Sequence, residues 1–142
     1  MVELKSVTLE DKAFWYQLDR HLAESEFYHI VELKRGSVIY SEGEQVGILR
    51  WNLFWDSIPF LTMIYLKDCE QKKGVGTQAL KLWESARKSE GHQTIMTSTQ
   101  VDETSQHFYR KLGFEDCGCL VLNRIPELEQ PMEMFMVKEI KG

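Results

Sequence analysis

The chain has 142 residues, 43% hydrophobic and 27% charged, which is the size and composition of one globular domain with a single core. Its net charge of −5 argues against a nucleic-acid platform, because duplex binding depends on many Lys and Arg side chains that neutralise phosphates. Residues 1–12 lack a basic leader and no apolar run is long enough to span a bilayer, so we expect one cytoplasmic domain over residues 1–142 with no membrane partner.

The first half of the chain alternates between helical and extended patterns. Thr8 offers an N-cap hydroxyl, with acidic residues in the first helical turn after it. Ser41-Glu42-Gly43-Glu44 is typical of a hairpin turn, and Asp56-Ser57 of a second turn. The predicted elements are a strand over 2–7, a helix over 9–23, a short helix and loop over 24–35, and strands over 37–40, 45–55 and 58–66.

The second half starts with a helix from Gly74 that Gly91 ends as a left-handed cap. Its predicted apolar stripe consists of Val75, Ala79, Leu82, Trp83 and Ala86. After it we predict a strand over 94–99, a helix over 103–112, and strands over 114–122 and 132–140. This order predicts an α+β domain whose mixed, mostly antiparallel sheet has about six or seven strands flanked by about four helices.

The cysteines and histidines do not form a ligand pattern. Cys69, Cys117 and Cys119 are odd in number, and their spacing differs from the paired spacing of a zinc site. The four histidines are scattered, without an i, i+4 pair. We therefore expect no metal, and we expect the cysteines to be reduced thiols in or near the core.

The segment Gln71-Lys72-Lys73-Gly74-Val75-Gly76 joins a predicted strand to a predicted helix. Its glycines let the backbone come close to a ligand, and the amides of the first helical turn attract anions. A pyrophosphate fits this loop and its two lysines. The dinucleotide fingerprint fails because Ala79 stands where a third glycine is needed, and the P-loop fails because no lysine follows Gly76.

Two motifs together resemble the GNAT acetyltransferase superfamily. The coenzyme A motif of that family is Gln/Arg-x-x-Gly-x-Gly/Ala between the fourth strand and a long helix, which residues 71–76 fit at every specified position. A second family motif, aromatic-Tyr-x-x-x-Gly-Phe, matches Phe108-Tyr109-Arg110-Lys111-Leu112-Gly113-Phe114. The resemblance extends over nearly the whole chain and is weakest over residues 24–45.

The resemblance implies acetyl coenzyme A as cosubstrate and a fourth strand that splays from the fifth, with the thioester in the gap. It implies that Tyr109 is the general acid for the leaving thiolate. The chain departs from the family pattern at Asp68, where proline is frequent, and at Asp102, where asparagine is usual. The cofactor-binding residues that it implies are Ile64, Leu66, Gln71, Lys72, Lys73, Gly74, Val75, Gly76, Thr77 and Phe108.

The function that follows is N-acetylation of a primary amine, on a small molecule or a protein, by direct attack on the thioester. The general base stays unassigned, because the predicted fourth strand over 58–66 contains no acid. A homodimer is compatible with the sequence.

Trp51 and Trp55 are expected on one strand face. Residues expected to line the acceptor groove are Glu26, Tyr28, His29, Trp51 and Trp55. The alternative is a catalytically inactive module that binds or senses an acyl coenzyme A.

Overall fold

A computed structural model describes residues 1–100, 105–128 and 132–141 of the chain. Short 3-10 turns at Leu9–Asp11 and Asp68–Glu70 accompany the main elements. In chain order these are β1 (Val2–Ser6), α1 (Lys12–Leu18), α2 (Glu24–Leu33), β2 (Gly36–Ser41), β3 (Glu44–Phe54), β4 (Ile58–Leu66), α3 (Val75–Ser89), β5 (Thr94–Gln100), α4 (Ser105–Lys111), β6 (Glu115–Val121) and β7 (Met132–Glu139).

The strands form one seven-stranded sheet in the order β1-β2-β3-β4-β5-β7-β6. The sheet is mostly antiparallel, and β4 and β5 run parallel. This confirms the predicted α+β class, the mixed sheet and the number of strands. The chain divides into two compact units, a first unit of Met1–Asn52 with Thr62–Ala86 and a second unit of Leu53–Leu61 with Arg87–Gly142.

In the first unit, α1 and α2 contribute to an apolar core with β2 and β3. The Trp15 and Phe27 rings meet edge to face, with their centroids 5.9 Å apart. Gly36 is needed for close approach, because a Cβ there would lie 2.3 Å from Ile30 Cγ2. The turn between β2 and β3 uses left-handed residues at Glu42 and Gly43, the arrangement that suits a two-residue hairpin loop. The predicted hairpin is confirmed.

Helix α1 ends at Leu18, so the helix predicted over 9–23 is too long at its C-terminal end. The cause is Asp19, which is only 4% exposed and accepts hydrogen bonds from Trp15 Nε1 at 3.1 Å and from Arg50 Nε at 3.0 Å. These contacts hold Asp19 outside the helical region, with φ −111° and ψ 87°. Because Arg50 lies on β3, the periodicity of residues 9–23 alone cannot predict its hydrogen bond to Asp19.

Helix α3 begins and ends as predicted, and Gly91 after it is left-handed. The prediction of which residues form its buried face is partly wrong. Leu82 is 41% exposed and Ala86 is also exposed. The inward positions are taken by Leu80 and, nearer the C-terminus, by Arg87. Trp83 fixes this rotation in the first unit, because its ring packs edge to face against that of Trp51 with centroids 6.0 Å apart.

In the second unit, β5 pairs with β7 along its whole length, from Thr94↔Glu139 to Gln100↔Glu133. The described register between β4 and β5 consists of Phe60↔Met96 and Leu61↔Thr97, and Thr97 Oγ1 donates to Leu61 O at 3.0 Å. The predicted helix over 103–112 is described from Ser105 to Lys111. Asp102 and residues 103 and 104 lie outside the described residues.

Candidate functional site

Gln71 ties the loop after β4 back onto the end of that strand. Its Nε2 donates to Leu66 O at 3.1 Å and to Asp68 Oδ1 at 3.4 Å, and its backbone N–H donates to Asp68 O at 3.3 Å. The side chain thus closes the 3-10 turn between strand and helix. Asp68, the residue that departs from the family pattern, takes part in this closure through its carboxylate and its carbonyl.

The glycine before α3 is required by its backbone conformation. Gly74 has φ +82°, a left-handed value that side chains disfavour, and a Cβ there would meet no atom within 4 Å. Gln78 N donates to Gly74 O at 3.1 Å, which is the first bond of the helix. Helix geometry leaves the preceding amides, those of Val75, Gly76 and Thr77, without an intrahelical acceptor. Amides at such a helix start can donate to an anion.

The charge around this helix start is mixed. Lys72 and Lys73 are exposed, and Lys72 also has a left-handed φ of 64°. Lys73 Nζ lies 3.3 Å from Glu70 Oε2, so part of its charge is already neutralised. The local field therefore depends more on the oriented backbone amides and Lys72 than on two equivalent lysines.

Gly47 is a functional candidate that the sequence interpretation missed. A Cβ at Gly47 would lie 2.6 Å from Tyr65 O and from Leu66 Cδ2, so only glycine lets β3 lie this close to the end of β4. Lys67 N donates to Val46 O at 2.8 Å at the same place. Together they fix the strand end that bears Ile64 and Leu66, both half-buried. A glycine inside a predicted strand was the available signal.

Tyr109 is buried within the second unit, with 7% of its surface exposed. Its ring meets Phe108 edge to face at 5.2 Å and Phe114 at 5.6 Å between centroids. The turn that follows α4 is closed by Phe114 N donating to Tyr109 O at 3.1 Å, with Gly113 left-handed between them. The second motif therefore builds one aromatic cluster that fixes the position of the phenol.

Four of the five residues expected at the acceptor groove lie in the first unit, and three of them, Glu26, Tyr28 and His29, are on α2. Tyr28 OH accepts from Lys12 Nζ at 3.0 Å and donates to Glu24 Oε1 at 3.2 Å. The hydrogen bonds of Lys12 with Tyr28, first, and with Glu24, whose Oε2 lies 2.9 Å from Lys12 Nζ, raise the pKa of Lys12 to about 12. Glu26 Oε2 lies 2.7 Å from His29 Nδ1. Glu26 and His29 line a small cavity of about 40 Å³ together with residues that include Arg35, Arg50 and Asn52.

The prediction that Trp51 and Trp55 share a strand face is wrong. Trp51 is buried on β3 in the first unit, 8% exposed, with the guanidinium of Arg35 5.6 Å above its ring. Trp55 lies in the turn after β3, with φ 50°, and is 81% exposed in the second unit. The reversal of the chain starts one residue earlier than Asp56-Ser57 suggested, so the period of two ends at Phe54.

The cysteines are exposed free thiols, which corrects the expectation that they lie in or near the core. Cys117 is the extra residue where the register between β6 and β7 shifts, and partial burial, with Asp116 beside it, raises the pKa of its thiol. Within residues 1–100, 105–128 and 132–141, no group of three or more His, Cys, Asp or Glu side chains is placed to hold a metal ion. None of the helices described there is long and apolar enough to cross a membrane.

The fold resembles that of many solved acetyltransferases. Ard1 from Thermoplasma volcanium superposes with a TM-score of 0.84 at 13% identity, and 99% of each chain is covered. Naa50 from Arabidopsis thaliana, in complex with the bisubstrate analogue CoA-Ac-MVNAL, gives 0.78 at 16% identity, covering 96% of this chain and 97% of its own. A GNAT family acetyltransferase from Elizabethkingia anophelis with acetyl-CoA bound gives 0.74 at 16% identity, covering 98% and 97%.

At such identities these likenesses show the fold alone. No curated protein matches the chain in sequence. The model of the acetyltransferase (GNAT) domain family, however, matches residues 23–116, more than half of the chain, and this span includes the loop at 71–76 and the aromatic motif at 108–114. The chain therefore belongs to the GNAT acetyltransferase family.

Proposed function

We propose that this protein is an N-acetyltransferase that moves the acetyl group of acetyl coenzyme A to a primary amine by direct attack. The observation that carries the proposal is the start of α3, where left-handed Gly74 precedes the first-turn amides of Val75, Gly76 and Thr77, which helix geometry leaves without an intrahelical acceptor. Similar structures support the cosubstrate, because one holds acetyl-CoA and another a coenzyme A conjugate of the peptide MVNAL.

In this proposal the pyrophosphate lies against those three amides. The helix dipole contributes about 0.3–1 kcal/mol per charge at an exposed site, and Lys72 and Lys73 add screened point charges. Gln71 acts differently, since its amide group is used to close the loop onto Leu66 O. Backbone groups of β4 around Ile64 and Leu66 would pair with the pantetheine arm, at the strand end that Gly47 supports.

Tyr109 is the proposed general acid. Collapse of the tetrahedral intermediate breaks the C–S bond, and the departing thiolate then takes the phenolic proton. The ring contacts with Phe108 and Phe114 hold the phenol in one orientation, which reduces the ordering cost of the transfer. Phe108 would contact the cofactor from the same helix.

The amine must lose a proton before it attacks. A lysine-like amine with a pKa of about 10.4 requires roughly 4.6 kcal/mol to be neutral at pH 7, whereas an α-amine near 7.7–8.0 requires about 1–1.4 kcal/mol. β4 carries no acid, so none of its side chains serves as base. An acceptor of low pKa therefore needs less help from a base than a simple alkylamine or a lysine side chain does.

The direct test is to incubate the protein with acetyl coenzyme A and a panel of amines, and to follow free thiol and acetylated product. We expect thiol release above the uncatalysed rate, matched in amount by N-acetylated amine. Release at the uncatalysed rate for every amine, together with tight binding of coenzyme A, would instead support the inactive binding or sensing module. Weak binding of both coenzyme A and acetyl coenzyme A would contradict both the acetyltransferase function and the binding or sensing function.

A further inference from the structure

Strand β7 has two chemically different faces in the second unit. Met134 and Met136 point to one side, and α4 packs there, since Arg110 Nη2 donates to Met134 Sδ at 3.6 Å. Side chains alternate along a strand, so Glu133 and Phe135 point to the other side. The face opposite α4 therefore carries an acid and an aromatic ring as neighbours.

The aromatic part of this face is a phenylalanine cluster formed by Phe54, Phe60 and Phe135. The ring centroids lie 6.1 Å apart for Phe54 and Phe60, 5.8 Å for Phe60 and Phe135, and 6.4 Å for Phe54 and Phe135. All three rings are only half-buried. Trp55, 81% exposed, lies against the Phe54 ring with centroids 4.7 Å apart and extends the aromatic surface.

The acid next to this cluster is held in place. Ser98 Oγ donates to Glu133 Oε2 at 2.6 Å, and the β5–β7 register sets Ser98 opposite Phe135 and Gln100 opposite Glu133. Glu133 is half-buried, and a carboxylate beside aromatic rings is disfavoured unless cations or donors compensate it. The serine hydroxyl satisfies one oxygen only, so an ammonium group is a suitable partner for the other.

The position along β5 connects these residues with the chemistry. Ser98 directly follows Thr97, the last β5 residue in the described register with β4. Under the proposed function, on which this inference rests, the acetyl group lies beside β5 beyond that point. An amine bound by Glu133 would then be next to the thioester carbonyl.

We propose that Glu133 and the phenylalanine cluster bind the acceptor. The carboxylate takes the ammonium group in a charge-assisted hydrogen bond, and the rings contact an aromatic or branched apolar group a few bonds away. The acceptor class is thus a primary amine with an apolar substituent, either free or as the N-terminus of a peptide that begins with such a residue. Polar and acidic amines should be poor acceptors.

Binding of the acceptor can be measured without turnover, by titrating phenethylamine into the protein saturated with coenzyme A. We expect Glu133→Gln, which keeps an acceptor for Ser98, to weaken binding at least about tenfold. Glu139→Gln is the matched control, because Glu139 lies on the same strand and face, is exposed and pairs with Lys141 at 3.8 Å. Equal affinity in Glu133→Gln and wild type, or no binding to wild type, would overturn the inference.

The apolar contact is tested by competition among three amines: phenethylamine, an N-terminal phenylalanine peptide amide, and ethanolamine. Phe135→Leu keeps an apolar side chain and should reduce the preference for phenethylamine over ethanolamine by about tenfold, with coenzyme A affinity unchanged. A peptide preference over the free amine identifies the source of the ligand. Turnover of amines that is indifferent to Glu133→Gln and Phe135→Leu would refute this inference while the proposed acetyltransferase function stands.

Discussion

Gly74 combines a left-handed backbone with open space, and this makes it a sharp test of the proposed pyrophosphate site. Gly74→Glu introduces bulk and negative charge where the pyrophosphate is proposed to lie. We expect the affinity for coenzyme A, measured by calorimetry, to fall at least tenfold, which is about 1.4 kcal/mol.

Gly91→Glu is the matched control for that variant. Gly91 has φ +97° and a Cβ there also meets no atom within 4 Å, so the backbone strain of the substitution is comparable. Gly91 follows the other end of α3, and its variant should bind coenzyme A as wild type does. Unchanged affinity in a folded Gly74→Glu protein would contradict the proposed pyrophosphate site.

Tyr109 allows acid catalysis to be separated from packing. Tyr109→Phe keeps the ring that contacts Phe108 and Phe114 and deletes the proton donor. General acid catalysis contributes about 10²–10⁴-fold, so kcat should fall by that factor. The dissociation constant for coenzyme A should change by less than about threefold, or about 0.7 kcal/mol. Near-normal kcat with a lower melting temperature would assign Tyr109 a packing role only.

At the scale of the element, we expect the two lysines before α3 to contribute unequally to phosphate binding. Lys73 is paired with Glu70, so Lys72→Ala should weaken coenzyme A binding more than Lys73→Ala. Both losses should shrink as salt rises from about 0.01 M to 1 M, where the Debye length falls from about 30 Å to 3 Å. A loss that is the same at both ionic strengths would show that the lysines do not act on the phosphates electrostatically.

The C-terminal end of α1 depends on a buried ion pair with β3. Asp19→Ala removes the acceptor of Trp15 Nε1 and leaves the largely buried Arg50 guanidinium without this carboxylate. Breaking such a pair costs about 3–5 kcal/mol, and we expect a loss of that order in the free energy of unfolding by urea. Glu10→Ala, at an exposed residue of the preceding 3-10 turn, is the control and should lose less than about 0.5 kcal/mol.

Sequence periodicity was sufficient where an element is specified by its own residues. The strands, the β2–β3 hairpin and the left-handed glycines around α3 were predicted because turn chemistry and alternation are local signals. Periodicity failed where tertiary contacts determine the end or the orientation of a helix. The hydrogen bond from Arg50 to Asp19 ends α1, and the contact of Trp83 with Trp51 determines which face of α3 is buried. The candidate loop was found by its motif, whereas the Glu133 and Phe135 face needed the strand register.

At the scale of the whole molecule, the fold is much more similar to that of other proteins than the sequence is. Ard1 from Thermoplasma volcanium superposes over 99% of the chain with 13% of residues identical. The fold thus tolerates change at most positions. In this chain it depends on the alternation of apolar residues together with a few backbone requirements such as those at Gly47 and Gly74. In the proposed function, acceptor choice would depend on side chains such as Glu133, which the fold does not dictate.

The last prediction concerns the stability of the whole chain. A ligand that binds only the native state stabilises it by about 2.7 kcal/mol at a hundredfold excess over its dissociation constant. For a domain of this size about 1 kcal/mol shifts Tm by roughly 3 °C, so coenzyme A should raise Tm by about 8 °C. Gly74→Glu and Gly91→Glu should both lower the Tm of the free protein through backbone strain. Only Gly91→Glu should still show the rise in Tm when coenzyme A is added. The same increment in both variants would locate the bound coenzyme A away from the start of α3, and no increment in the wild type would argue against a coenzyme A site altogether.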